Sequence, residues 1–471
     1  FFCFISAHLW DNLCPAGGKY VSLAIPPHSV YTWIGIVTLL KTPIPQKELN
    51  LVTRTQLAGG VFLTYLPAKK FKTSLLSAQF VVPLRWETAS ANALLSAILR
   101  RGTADCPDMG ALSRRLDELY GARIDTTVRK KGETQCVGFV ASLIDDCFAP
   151  GGERLLEPAA ALLGELICHP VTRDGLFLEE YFESEKTNLI DAVRSILNDK
   201  RAYADSRLLQ EMCAGEPYGV PRLGNEQITA ALHPQLLFEA YRELISTSRL
   251  EIIYCGSAER PRVEDALRAA LADLPRTDAA PSPELAPHVP PEEPRVIAER
   301  LDVTQGKLGM GFSCGSADSA ALLLGNTLFG GSSNSKLFLN VREKLSLCYY
   351  ASSLFHRQKG LITVSSGIEF GNYQRAYDEI MAQLEAVRRG HLETWELEAA
   401  RSTLLNAYAS MGDSQGKLEN FCLGQAATGR DESPEDLADQ VRAVTPERIF
   451  EAMGTVKLDT VYFLQGKEAE A

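Results

Sequence analysis

The chain has 471 residues, 45% of them hydrophobic and 23% charged, an ordinary balance for a soluble globular protein with ample core. Its formal net charge of −11 argues against a general nucleic-acid binder, which needs a basic footprint. Its longest clean apolar run, Val30 to Leu40, is too short to span a bilayer, and no basic segment precedes it, so no membrane role is expected.

Residues 1–50 read as a leader or N-terminal extension, not as fold: Pro15, Gly17, Gly18 and Pro26-Pro27 break the apolar stretch, and the first methionine is Met109. Ordered pattern begins near Leu51. Thr53–Leu57 and Val61–Leu66 form a strand pair split by Gly59-Gly60, a hairpin signal, and Phe71–Val82 reads as a third strand. Helical periodicity follows at Ala91–Arg101 and Met109–Tyr120, then strands at Arg123–Arg129 and Glu133–Leu143. Long helices are expected at Gly152–Cys168, Leu176–Leu197 and Lys200–Cys213, then a helix at Pro234–Ile245, a strand at Leu250–Tyr254 and a helix at Arg262–Leu274.

Residues 275–294 hold seven prolines and read as a stiff, extended linker. The same order then recurs. Strands at Arg295–Leu301 and Lys307–Phe312 precede helices at Ala317–Leu328 and Ser335–Lys344. Strands Cys348–His356 and Leu361–Ile368, three long helices from Tyr373 to Thr428, two short helices and a strand at Thr460–Leu464 complete it. The reading is therefore an α+β chain of two duplicated units, 51–274 and 295–471, each an antiparallel-rich sheet with helices packed on it. Strand runs beside helix runs argue against a doubly wound nucleotide fold.

The eleven cysteines are scattered, with no Cys-x-x-Cys, and read as small buried apolar side chains in a reducing cytoplasm. The seven histidines are at least twenty residues apart, so no His-x₃-His pair exists. Gly331 to Lys336 lacks the Gly-Lys-Ser/Thr of a phosphate loop, and Gly306, Gly309 and Gly311 lie in a strand, where glycine marks a bulge or close packing. Arg129-Lys130-Lys131 reads as a solvated hairpin end.

Ala93-Leu94-Leu95-Ser96-Ala97-Ile98-Leu99-Arg100-Arg101-Gly102-Thr103 is apolar and inert in itself: nothing from Ala93 to Leu99 can bind a metal or move a proton. With Pro107, Leu116 and Tyr120-Gly121-Ala122 it nonetheless resembles the zinc helix of the insulinase (pitrilysin) family. There, a His-x-x-Glu-His segment ahead of Gly-Thr supplies two zinc ligands and a general base. Aligned on Gly102-Thr103, the histidine positions are Ala93 and Ala97 and the base position is Ser96. The family's third ligand, a glutamate, falls at Ala192, or at Asp191 in the adjacent register. The resemblance thus implies no catalytic residue, no bound metal and no cofactor.

A second stretch, Gly330-Gly331-Ser332-Ser333-Asn334-Ser335-Lys336-Leu337-Phe338 and Val341-Arg342-Glu343-Lys344-Leu345-Ser346-Leu347-Cys348-Tyr349, is similar to the family's second-half motif, whose arginine and tyrosine reach the bound peptide. These map to Arg342 and Tyr349, while Ser346 stands where the family has glycine. Asn198-Asp199-Lys200-x-x-Tyr203-Ala204 adds a likeness to the bacterial YfmF-like branch, associated with aminopentanol modification of elongation factor P. The resemblance implies a half-shell of two units and a heterodimer with a zinc-bearing homologue, in which a peptide strand adds to a sheet edge, here Arg123–Arg129. Two other expectations stand beside it: a stand-alone peptide-binding or scaffold protein without proteolysis, and an active peptidase with a metal site outside the family pattern.

Overall fold

The hairpin at Gly59-Gly60 opens the first of two sheets, with Gly60 at φ 66°, where a side chain would strain the turn. The computed structural model describes residues 52–276 and 286–466. Residues 1–50, read as a leader or extension, and the middle of the proline-rich stretch lie outside them. The first sheet contains β1 (Thr53–Ala58), β2 (Val61–Pro67), β3 (Thr73–Pro83), β4 (Arg123–Lys131), β5 (Thr134–Ile144) and β6 (Arg249–Gly256), in the order β1-β2-β6-β3-β5-β4. The second contains β7 (Arg295–Leu301), β8 (Gly306–Cys314), β9 (Cys348–His356), β10 (Leu361–Ile368) and β11 (Val456–Gly466), in the order β9-β10-β8-β11-β7.

The two orders superpose. Antiparallel hairpins β4–β5 and β9–β10 occupy one side; β3 and β8 each pair antiparallel on both flanks; and parallel ladders β2–β6 and β7–β11 close the other side. Only β1 lacks a counterpart. This is the duplicated unit that the repeated element order predicts.

Around the first sheet lie α1 (Trp86–Leu99), α2 (Met109–Glu118), α3 (Leu156–Cys168), α4 (Glu179–Ser195), α5 (Lys200–Met212), α6 (Glu226–Ala231), α7 (Pro234–Thr247) and α8 (Arg260–Ala270). The second half adds α9 (Ser319–Phe329), a π-helical stretch at Leu337–Lys344, α10 (Tyr373–Arg388), α11 (Thr394–Ala409), α12 (Gln415–Ala427), α13 (Pro434–Arg442) and α14 (Pro446–Gly454). Helix α4 starts at Glu179 rather than at Leu176, because Leu176–Phe177 pairs with Thr172–Arg173 as a small β-ribbon. No helix among the described residues is long and apolar enough to cross a membrane.

The third long helix of each half packs on the sheet of the other. Helix α5 lies across β8 and β11, where Ala204 and Leu208 meet Tyr462 and Leu464. Helix α12 lies across β3 and β6, placing Leu418, Leu423 and Ala427 against Val81, Cys136, Ile253 and Cys255. Both faces of the central strands are therefore covered, and β3 is buried along nearly its whole length. The glycines of β8 make room for the visiting helix: a Cβ on Gly309 would stand 3.2 Å from Leu208, and one on Gly311 2.5 Å from the Met212 sulfur. The described residues consequently form one compact unit rather than two separable halves.

Candidate functional site

Helix α1, the expected counterpart of a zinc helix, is packed as a core helix and carries no metal-binding side chain from Ala93 to Leu99. Leu94, Leu95, Ile98 and Leu99 are buried in the core of the first half. Ala93 and Ser96 are buried as well, Ala97 is half-buried, and the Ser96 hydroxyl donates to the Ala93 carbonyl of its own helix at 3.0 Å. Helix α4 packs against α1, and Arg101 ties the two by an ion pair to Glu185 at 3.0 Å and by stacking 4.6 Å over the Tyr181 ring. The third-ligand positions on α4 face outward: Ala192 and Asp191 are exposed, and Asp191 lies 3.9 Å from Arg194.

Gly102-Thr103 persists for a structural reason. A Cβ on Gly102 would come within 2.6 Å of the Cys106 carbonyl, while the fully buried Thr103 accepts from the Cys106 amide through its hydroxyl at 2.9 Å and donates its own amide to the Cys106 carbonyl at 2.8 Å.

The second stretch builds an anchored turn that carries the half-exposed Arg342 and the exposed Tyr349. Lys336 is buried on Glu396 at 3.0 and 3.1 Å, and Leu337 and Val341 anchor the π-helical stretch. Arg342 lies over the Phe338 ring at 4.6 Å and 3.5 Å from Glu343. Ser346 takes φ 51°, the left-handed conformation that favours glycine. At the start of β9 the register slips between Cys348 and Tyr350, so Tyr349 is the extra residue of a bulge. Tyr349 is 60% exposed and donates to Glu369 at 2.5 Å, so its donor already has an acceptor. Tyr350 instead packs under the Arg201 guanidinium of α5 at 4.1 Å.

Strand β4 is the edge of its sheet, but its basic end is engaged rather than solvated. Arg129 makes a bidentate pair with the buried Glu419 of α12 at 2.6 and 2.7 Å. Lys130 lies 4.3 Å over the Tyr218 ring and donates to the Tyr218 and Val220 carbonyls, and burial lowers its pKa to about 8. Lys131 donates to Asn420 of α12 at 2.7 Å. Two neighbours take this end out of solvent: α12 from the second half engages Arg129 and Lys131, and the Tyr218–Val220 segment of the first half engages Lys130. An open groove runs along the edge past Thr126, Thr127 and Arg222, and Arg222 donates to the Val128 carbonyl at 3.0 Å.

Next to that hairpin the halves share a polar cluster that no local pattern announces. Lys359, in the β9–β10 turn, pairs with Glu133, with Glu216 at 2.7 Å, and with the Ala286 carbonyl at 2.7 Å. His288 holds Glu216 through Nδ1 at 2.7 Å and Asp459 through Nε2 at 2.8 Å. Burial lowers the His288 pKa, but Asp459, Cys213 and Glu216 outweigh it and push it up to about 10. His356 is held by the Tyr218 hydroxyl and by Thr363, each at 2.9 Å, and burial, helped by Lys130, pulls its pKa down to about 4. Among the described residues, Cys213, Glu216 and His288 are the one His/Cys/Asp/Glu group with ligand atoms close enough to share a metal ion. Residues 213 and 288 are too far apart in sequence for a spacing motif to reveal them.

A family model described as "Peptidase M16 inactive domain" matches residues 231–404. "Probable inactive metalloprotease YmfF" of Bacillus subtilis (strain 168) is 32% identical over 414 residues, covering 87% of this chain and 97% of that protein. "Uncharacterized zinc protease YmxG" of the same organism is 19% identical over 281 residues, 58% of this chain and 67% of that protein. Among solved structures, a conserved protein from Enterococcus faecalis V583 superposes with a TM-score of 0.82 at 29% identity, covering 89% of this chain and all of that one.

Proposed function

The chain belongs to the peptidase M16 family as an inactive metalloprotease homologue, and we propose that it is the non-catalytic subunit of a cytoplasmic heterodimer, pairing with a zinc-bearing homologue and helping to hold an extended peptide. The observation that carries this reading is helix α1. Its core packing and its Gly102-Thr103 exit are well formed, while Ala93, Ser96 and Ala97 offer neither ligand nor base and the exposed Ala192 and Asp191 supply no glutamate. A scaffold kept without its chemistry is best explained by a binding or assembly role.

Three further features support it. Bacillus subtilis carries both an inactive and a zinc-protease relative of this chain, so the two kinds coexist in one cell. The half-exposed Arg342 and the exposed Tyr349 stand near one end of β9; the guanidinium suits peptide carbonyls, and the phenol can join it once its hydroxyl leaves Glu369. The unpaired side of β4, beside the Thr126–Thr127 groove, is the candidate edge for an added strand, which would have to displace Arg222 from the Val128 carbonyl and Arg100 from that of Ile124. In this reading the tie to aminopentanol modification of elongation factor P belongs to the pair, not to any residue of this chain.

The test is co-expression with each zinc-bearing M16 homologue of the source genome, followed by size-exclusion chromatography with light scattering. A one-to-one complex is expected, whose peptide cleavage shows a raised KM in Arg342→Ala with kcat little changed. A chain that stays monomeric with every such homologue removes the proposal. If the isolated chain then binds peptides, and loses them in Arg342→Ala, the stand-alone reading takes its place. Chelator-sensitive cleavage by the isolated chain would instead establish an active peptidase.

A further inference from the structure

We propose that Cys213, Glu216 and His288 form a structural site for one divalent transition-metal ion, zinc by ligand preference, which staples the end of the proline-rich segment to the junction between the halves. Thiolate, imidazole and carboxylate are the donors zinc takes in proteins. Their ligand atoms all lie within 4.8 Å of one another here. Bonds of about 2.0–2.3 Å in a tetrahedron put neighbouring ligand atoms roughly 3.3–3.7 Å apart, so only small side-chain rotations separate the present geometry from a bound one.

The backbone prepares the site. Cys213 is the first residue past α5, Gly215 turns the chain at φ 83°, and the Glu216 amide donates to the Cys213 carbonyl at 3.0 Å. This tight turn brings residues 213 and 216 to the same side, as in a metal-binding knuckle. His288 approaches from the other end of the proline-rich segment.

The surroundings match what orients metal ligands. The far nitrogen of His288 meets Asp459 at 2.8 Å, the carboxylate–imidazole pairing that fixes a ligating histidine. Asp459 is fully buried and held in turn by Thr460 at 2.7 Å. Lys359 pairs with Oε2 of Glu216 at 2.7 Å, leaving Oε1, now 2.7 Å from His288 Nδ1, to turn to the ion. Binding exchanges protons for metal: the thiol proton of Cys213 and the Nδ1 proton of His288 leave to solvent, and no bond is otherwise broken.

Burial decides the role. Cys213 is fully buried and the His288 side chain is 3% exposed, so no substrate reaches the ion. Glu216, with its side chain 21% exposed, is the member of the cluster nearest to solvent. This site is unrelated to the degenerate helix, and it does not depend on pairing with a second subunit.

The experiment is cobalt(II) titration of the full chain after chelator treatment and reduction. One equivalent is expected, with a thiolate-to-cobalt charge-transfer band that zinc abolishes. Cys213→Ser should lose the band, and His288→Gln should weaken binding at least tenfold. Cys147→Ser, at an exposed cysteine outside the site, should leave both unchanged. One equivalent of zinc should also raise the melting temperature of the wild type but not of His288→Gln. No stoichiometric binding by the wild type, or a band that survives Cys213→Ser, overturns the proposal and leaves His288 as a metal-free cation between Glu216 and Asp459. The wild-type titration decides even if a variant fails to fold.

Discussion

Removing Glu419 tests how the halves are locked. Glu419 is 3% exposed on α12 and accepts three charge-assisted or neutral hydrogen bonds from the first half: Arg129 Nη1 at 2.6 Å, Arg129 Nη2 at 2.7 Å and the Ser77 hydroxyl at 2.7 Å. Glu419→Ala strands a largely buried guanidinium and a fully buried hydroxyl. Breaking a buried pair from one side costs about 3–5 kcal/mol, because the remaining charge stays desolvated without a partner. Replacing both members removes that penalty, so Glu419→Leu with Arg129→Met should lie within about 1 kcal/mol of wild type. With each single variant at Glu419 or Arg129 costing about 3–5 kcal/mol and the double variant about 1, the coupling in a double-mutant cycle of Glu419→Leu and Arg129→Met is at least about 5 kcal/mol. Urea unfolding gives the free energies, and hydrogen exchange on the α12 amides shows whether that helix loosens first. A single-variant cost below about 1 kcal/mol, or a double variant as damaged as the sum of its parts, would refute the view that this pair is buried and decisive.

Ser346→Gly should stabilise the chain by about 0.5–1 kcal/mol, since a left-handed non-glycine residue costs about 1–2 kcal/mol and the freer unfolded glycine returns part of it; a loss of stability in thermal or urea unfolding would show that the turn is not strained. His356 sets an acid limb. Its folded pKa of about 4 lies below the usual 6.5, so its neutral form contributes fully above pH 6.5, and that contribution is lost as pH falls toward 4. The loss is at most about 3 kcal/mol. The stability difference between wild type and His356→Gln should therefore shrink between pH 7 and pH 4.5, and a difference constant over that window would exclude the assignment.

Much of the architecture is local information. Gly59-Gly60, the period-2 strand Cys348–His356 and the long amphipathic α10 are set by residues within a few positions of each other, so spacing alone reveals them. The duplicated order follows from the same signals counted twice. Side-chain fates were less legible. The basic run at Arg129 to Lys131 has the composition of a solvated turn and is instead engaged, Arg129 and Lys131 by α12 some 290 positions on and Lys130 by Tyr218 and Val220. The Tyr349 donor finds Glu369 only because a bulge and the β9–β10 pairing bring the two together.

What the amino-acid order by itself determined is the loss of chemistry. Alanine at 93 and 97 and serine at 96 cannot bind zinc or serve as the family's base in any packing, and no histidine pair replaces them. What only the tertiary structure decided is the exchange of α5 and α12 between the sheets and the cluster of Cys213, Glu216, His288, Lys359 and Asp459 at their junction. The reason is physical: a side chain's chemical capacity is a property of one residue, whereas its partners depend on which distant surfaces bury each other, and that is settled only when both sheets are complete.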